Sequence, residues 1–151
     1  HAALADFTEP LPHVRPPVHE PARHFATLAV AQARHGGHRL AAAVADVAQA
    51  VAVAWAALPA IPTTPPRLVH GDPKISNLLF DDAGRGLCLV DLDTLARAPL
   101  AYELGDAFRS WCNPGPEDAP RASFSAPLFA AALEAYAATG RHFMTPDERA
   151  S

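Results

Sequence analysis

The stretch "RLVHGDPKISNLLF", residues 67–80, decides the reading of this chain. A short apolar run, Arg67-Leu68-Val69, ends in His70-Gly71-Asp72. Lys74 and Asn77 follow, and the chain turns apolar again at Leu78-Leu79-Phe80. Asp81-Asp82-Ala83-Gly84-Arg85-Gly86 supplies turn residues, and Leu87-Cys88-Leu89-Val90 reads as a returning strand that runs into Asp91-Leu92-Asp93-Thr94. The pattern predicts a β-hairpin. A hairpin brings its open ends together, so Asn77 and Asp91 are expected as neighbours, with Asp72 upstream on the same loop.

Hard oxygen groups of this kind suit Mg²⁺, which takes one or two carboxylates together with substrate phosphates and water. A further carboxylate can accept the proton of a hydroxyl nucleophile. Lys74, two residues after Asp72, adds a positive charge able to reach a transferring phosphoryl group. Together these are the parts that phosphoryl transfer needs. The spacing says more than the residue types. In the kinase catalytic loop, H-R-D-x-x-x-x-N, the Asp is the base and the Asn binds metal. The Asp72-to-Asn77 interval is the same, and Asp91 stands at the end of the next strand, where kinases keep their other metal-binding Asp. At roughly 5% usage per residue type, four fixed types at fixed spacing arise on the order of once in a thousand chains of this length. Asp72 as a turn cap, Asn77 as a turn asparagine and Lys74 as a surface lysine are the plain alternatives, and the shared register of Asp72, Asn77 and Asp91 weighs against them.

Around this stretch the chain reads as helical. Its 151 residues suit one domain, and half of them are hydrophobic, which excludes a disordered chain. The net charge of −4, with no Lys/Arg cluster, argues against a nucleic-acid binder. The two cysteines, Cys88 and Cys112, form no C-x-x-C pair, so neither a disulfide framework nor a zinc site is indicated, and a reducing cytoplasm is the simplest compartment. Cys88, a strand residue, is expected to be buried and inert. Residues 9–21 hold five prolines and read as an extended connector. A helix is expected over 22–35, ended by Gly36-Gly37. Residues 40–58 are long enough to cross a bilayer, but ten of them are alanine and Asp46 sits near the middle, so a buried helix of a soluble domain is expected there. Residues 59–66 form a second proline-rich connector. Helices are expected over 102–111, with Leu104, Ala107, Phe108 and Trp111 on one face, and over 126–138. Thr145-Pro146-Asp147-Glu148 is a helix start, with an N-cap Thr, Pro at the first position and Glu three residues after the cap. The chain begins at His1 instead of Met and stops three residues after that helix start, which suggests a fragment.

The motifs "VHGDPKISNLLF" and "LVDLDT" resemble those of the aminoglycoside phosphotransferase/choline kinase group, small-molecule relatives of protein kinases. "HGDPKISNLLFD", "CLVDLDT", "AYELGDAFRS" and the opening "HAALADF" look most like N-acetylhexosamine 1-kinase-like members. The resemblance is strong over residues 67–111 and weaker over 1–58. It implies the C-terminal lobe of a protein-kinase-like (α+β) phosphotransferase fold, mainly α with a small β-hairpin. The Gly-rich loop and strand lysine of the ATP-binding lobe are then expected upstream of His1, and the fragment alone is expected to be inactive. It further implies Asp72 as general base with Lys74 beside it, Asn77 and Asp91 as Mg²⁺ ligands, His70 as a brace of the loop, and Asp106 as a tie from the following helix. Asp93 is open between substrate, a second metal and a helix cap. Gly71 replaces the arginine with which protein kinases read a phosphorylated activation loop, so control by that route is not expected. The implied co-substrate is ATP and the implied acceptor a small-molecule alcohol. A sugar such as an N-acetylhexosamine comes first, then an aminoglycoside, choline or a homoserine-like alcohol; no nucleic-acid or membrane partner is implied. A non-catalytic pseudokinase-like module is the rival of another class, although a scaffold does not need all three oxygen ligands. A metal-dependent hydrolase is the third.

Overall fold

Prolines set the punctuation of this chain. The computed structural model describes residues 1–12, 16, 18–60, 63–116 and 119–150, so parts of both proline-rich connectors and of the loop after residue 113 lie outside the described residues. The first long helix starts only where Pro21 occupies its opening turn, a position at which the missing N–H costs nothing.

Residues His19–Ile61 make one compact unit. It holds α1 (Pro21–Arg34) and α2 (Ala41–Ala56), with the rings of Phe25 and Trp55 at 6.2 Å. The expectation of a buried alanine-rich helix is corrected here. No residue of α2 is buried, and Val47 and Val53 keep 63% and 59% of their surface. The reason is geometric: a helix that is apolar all round needs partners on several faces, and this unit supplies one neighbour. Among the described residues no helix is long and apolar enough to cross a membrane.

The second unit, His1–Val18 with Pro62–Ser151, carries the motifs. Its elements are β1 (Arg67–Val69), β2 (Leu78–Phe80), β3 (Gly86–Leu89), β4 (Ala96–Ala98), α3 (Leu100–Trp111), α4 (Ala126–Gly140) and α5 (Pro146–Ala150). The expected hairpin is β2–β3, antiparallel, with Leu78 opposite Leu89 and Leu79 opposite Cys88. Asp81 builds its turn by accepting the N–H groups of Ala83 and Arg85 at 3.0 and 2.8 Å and Arg85 Nε at 2.7 Å. The Arg85 backbone N–H, with its guanidinium behind it, holds the Asp81 carboxyl below the usual carboxylate range. Cys88 is exposed, not buried, because β3 is exposed along its whole length; Cys112 is the buried cysteine. A second antiparallel pair, β1 with β4, was not legible in the sequence. It sets Arg67 opposite Ala98 and Val69 opposite Ala96. The core gathers around it: Leu68, Val69, Ala96, Ala98, Leu100, Ala107 and Cys112 are all buried.

The helix start at residue 145 forms as its spacing predicts. Glu148 N donates to Thr145 Oγ1 at 3.2 Å, and Thr145 N donates to Glu148 Oε2 at 2.7 Å. Glu148 is buried and also takes the guanidinium of Arg67: Nε donates to Oε1 and a terminal nitrogen to Oε2 at 2.8 Å. The same nitrogen reaches Phe143 O at 2.8 Å. This clamp fastens α5 to the strand that leads into the polar loop. The Arg67 hydrogen bonds, opposed by burial and helped by Thr145, lower Glu148 from an ordinary 4.5 to about 2. A depressed carboxyl contributes stability that is complete above the unfolded value and disappears as pH falls through the folded one. Unfolding free energy is therefore expected to drop by about 3 kcal/mol between pH 5 and pH 2 through this group. Urea denaturation across that window measures it, and in Glu148→Gln that part of the slope is expected to vanish.

Candidate active site

The loop that follows β1 is held from three sides. From the hairpin, Val90 N donates to Asn77 O at 3.0 Å, extending the β2–β3 ladder by one pair. His70, 5% exposed, spans the gap: Nε2–H donates to Val90 O at 2.9 Å, so Nδ1 is the acceptor for Asp72 N at 3.3 Å. From the turn after the hairpin, Thr94 Oγ1 donates to His70 O at 2.8 Å.

From α3 come three further ties. The Glu103 carboxylate, 3% exposed, accepts His70 N at 2.8 Å on Oε1 and Gly71 N at 2.9 Å on Oε2. Ser110 Oγ accepts Ile75 N at 3.0 Å, and Trp111 Nε1 donates to Pro73 O at 2.8 Å. None of these three involves Asp106, whose Oδ1 accepts Arg109 Nε at 2.9 Å within the helix. Sequence reasoning missed Glu103. A signal was present: Leu100, Glu103, Leu104, Ala107 and Trp111 share one face of the helix, and an acidic residue on an apolar face must find donors.

Gly71 explains itself in this setting. Its φ is +84°, and a Cβ there would lie 2.5 Å from Thr94 O. Left-handed backbone costs an alanine about 1–2 kcal/mol, and the overlap with a carbonyl adds about 1–3 more. Gly71→Ala is expected to lower stability by about 2–5 kcal/mol, measured by urea unfolding.

The polar groups of the loop meet on this frame. Asn77, 5% exposed, donates its Nδ2 to Asp72 O at 2.9 Å and to Asp72 Oδ2 at 3.3 Å. Lys74 Nζ sits 2.9 Å from Asp72 Oδ2. Asp91 follows Val90 directly, so the hairpin carries its backbone to the Asn77 end of the loop. It is the only described non-glycine residue with positive φ, at φ 66° and ψ 55°. Asp93 lies exposed within the 3₁₀ turn Leu92–Thr94, for which Asp91, not Asp93, stands in the capping position and makes no side-chain cap bond. A model of the phosphotransferase enzyme family matches residues 1–146.

The chain belongs to the phosphotransferase enzyme family. The match reaches well beyond the 67–111 stretch that carries the motifs, into both units of the fold. Phosphotransferases of this family generally use ATP and Mg²⁺, and the side chains of Asn77 and Asp91 carry hard oxygen donors of the chemical type such a cation takes. Because Asn77 spends its NH₂ on Asp72, its carbonyl oxygen is the half of the amide left to face a ligand. Among the described residues no group of three or more His, Cys, Asp or Glu could hold a metal ion. That excludes a closed protein cage among them but not Mg²⁺, which takes few carboxylates and keeps substrate phosphates and water.

Proposed function

We propose that this phosphotransferase moves the terminal phosphoryl group of ATP to the hydroxyl of a small-molecule alcohol, with a sugar of the N-acetylhexosamine kind as first candidate. Aminoglycosides, choline and homoserine-like alcohols follow. Residues 1–151 serve as the catalytic lobe in this scheme, and a separate N-terminal lobe supplies the Gly-rich loop and strand lysine. Asp72 orients the acceptor hydroxyl and takes its proton. Asn77 and Asp91 would hold Mg²⁺, which when bound neutralises charge on the phosphates. Lys74 brings positive charge to the transferring group, and His70 with Glu103 keeps the loop in place. Asp93 would serve a second ion or the acceptor.

The observation that carries this reading is the Asn77 amide fixed on Asp72 while the backbone pair Val90–Asn77 delivers Asp91 to the same end of the hairpin. The test is ATP consumption by the full-length protein against a panel of hexosamines, aminoglycosides, choline and homoserine, with and without Mg²⁺. One acceptor class is expected to raise turnover by at least about 100-fold over the ATP-only rate, and only with the metal present. Mg²⁺-dependent nucleotide binding without turnover on any acceptor would favour the scaffold module. Phosphate release from a phosphorylated substrate without ATP would favour a hydrolase.

A further inference from the structure

Residue His1, from the opening "HAALADF" segment, is joined to the catalytic loop through Glu103. Its Nε2 lies 3.1 Å from Glu103 Oε1, the oxygen that also accepts His70 N. Its Nδ1 lies 2.8 Å from Tyr136 Oη on α4, and the two rings meet edge to face at 5.9 Å. The polarity of this chain follows from chemistry. A carboxylate only accepts, so His1 Nε2 carries the hydrogen; Nδ1 accepts from the Tyr136 hydroxyl when the ring is neutral and donates to it when the ring is protonated, and either way the ring is anchored at both nitrogens. Burial, with the Glu103 charge behind it, raises the Tyr136 phenol above its ordinary value. The Glu103 side chain is 2% exposed and that of His1 20%, so water competes little for these bonds.

Glu103 holds the backbone of the loop at this point. Gly71 has none, and its backbone N–H and that of His70 both end on Glu103. A turn of the carboxylate would carry both amides with it, and Asp72 is the next residue. Misplacement of a reacting group by about 1 Å can cost about 100-fold in rate.

We propose that His1 is a positioning residue: anchored by Tyr136, it fixes the rotation of the Glu103 carboxylate and thereby the placement of Asp72. This rests on the role proposed above for Asp72, so Asp72→Asn is run alongside. In the full-length protein, His1→Phe is expected to lower kcat about 10-fold, with KM for ATP and for the acceptor within twofold. His1→Gln, whose amide can donate to Glu103 and accept from Tyr136, is expected to recover kcat to within about threefold. Tyr136→Phe removes only the anchor and is expected to lower kcat about threefold. Thermal unfolding of each variant separates stability from rate. A kcat for His1→Phe equal to the parent's, whatever its melting temperature, overturns the proposal. If His1→Phe does not fold, equal kcat in His1→Gln, Tyr136→Phe and the parent overturns it as well. Activity retained in Asp72→Asn sinks the role of Asp72 itself, a different failure that the same experiment distinguishes.

Discussion

Asp72→Asn in the full-length protein is expected to cut turnover by at least about 10³-fold and leave the fold intact. The loss comes from the proton. A positioned base contributes about 10²–10⁴-fold, and an amide cannot take the acceptor's hydrogen. The fold survives because little of it depends on the charge. Asn at 72 keeps the shape, its main-chain carbonyl still accepts Asn77 Nδ2, and its side-chain oxygen can accept the second bond now 3.3 Å long. What disappears is the ion pair with Lys74. Both side chains are 28% exposed, so that pair is worth no more than about 1 kcal/mol after solvent screening. Steady-state ATP consumption and urea unfolding of the same preparation check the two halves. Near-parental turnover would remove Asp72 from the role of base, and loss of activity together with loss of fold would make the rate uninformative. Lys74→Met is the companion: it breaks the same ion pair from the other side and leaves the carboxylate, so it is expected to slow turnover less than Asp72→Asn does.

What the sequence yields here depends on how local the physics is. The hairpin was readable because the turn chemistry, Asp81 through Gly86, lies between its own strands, and Asp81 makes its bonds within four residues. The capping box at Thr145 and Glu148 was readable for the same reason. The contact of Asp72 with Asn77 spans a five-residue interval on one loop, and the pairing of Val90 with Asn77 follows from the hairpin's closure. The β1–β4 pair was not readable. Each strand is three residues long, too short for a period-two pattern, and the pairing joins positions about thirty residues apart that only the folded core brings together. Glu103 was missed on similar grounds: its partners lie 32 and 33 residues upstream, and its acid group stood out only against the apolar face around it. Cys88 and α2 failed in the opposite direction. Apolar composition predicts burial, but burial needs a neighbour, and composition does not say whether one is there.

Asp91 offers the second large effect and the sharper contrast between stability and function. A non-glycine residue in the left-handed region carries strain of about 1–3 kcal/mol, and such residues collect at functional sites. Here the strain sits on the residue proposed to hold Mg²⁺, directly after the last hydrogen-bonded pair of the hairpin. Asp91→Asn is expected to keep the fold, since asparagine tolerates this conformation as well as aspartate does. It should lose at least about 10³-fold in turnover and need far more Mg²⁺ to recover any of it. Asp91→Gly relieves the strain altogether, so it is expected to raise unfolding free energy by up to about 1 kcal/mol while abolishing activity. Asp91→Ala is expected to be the least stable of the three, because alanine gains neither the local hydrogen bonds of asparagine nor the freedom of glycine. A variant that becomes more stable as it becomes inactive is what a strained metal ligand predicts and what a simple turn residue does not. Urea unfolding and Mg²⁺ titration of turnover across the three substitutions give the ordering. If Asp91→Gly is both more stable and fully active, residue 91 is only a turn, and the metal role assigned to it fails.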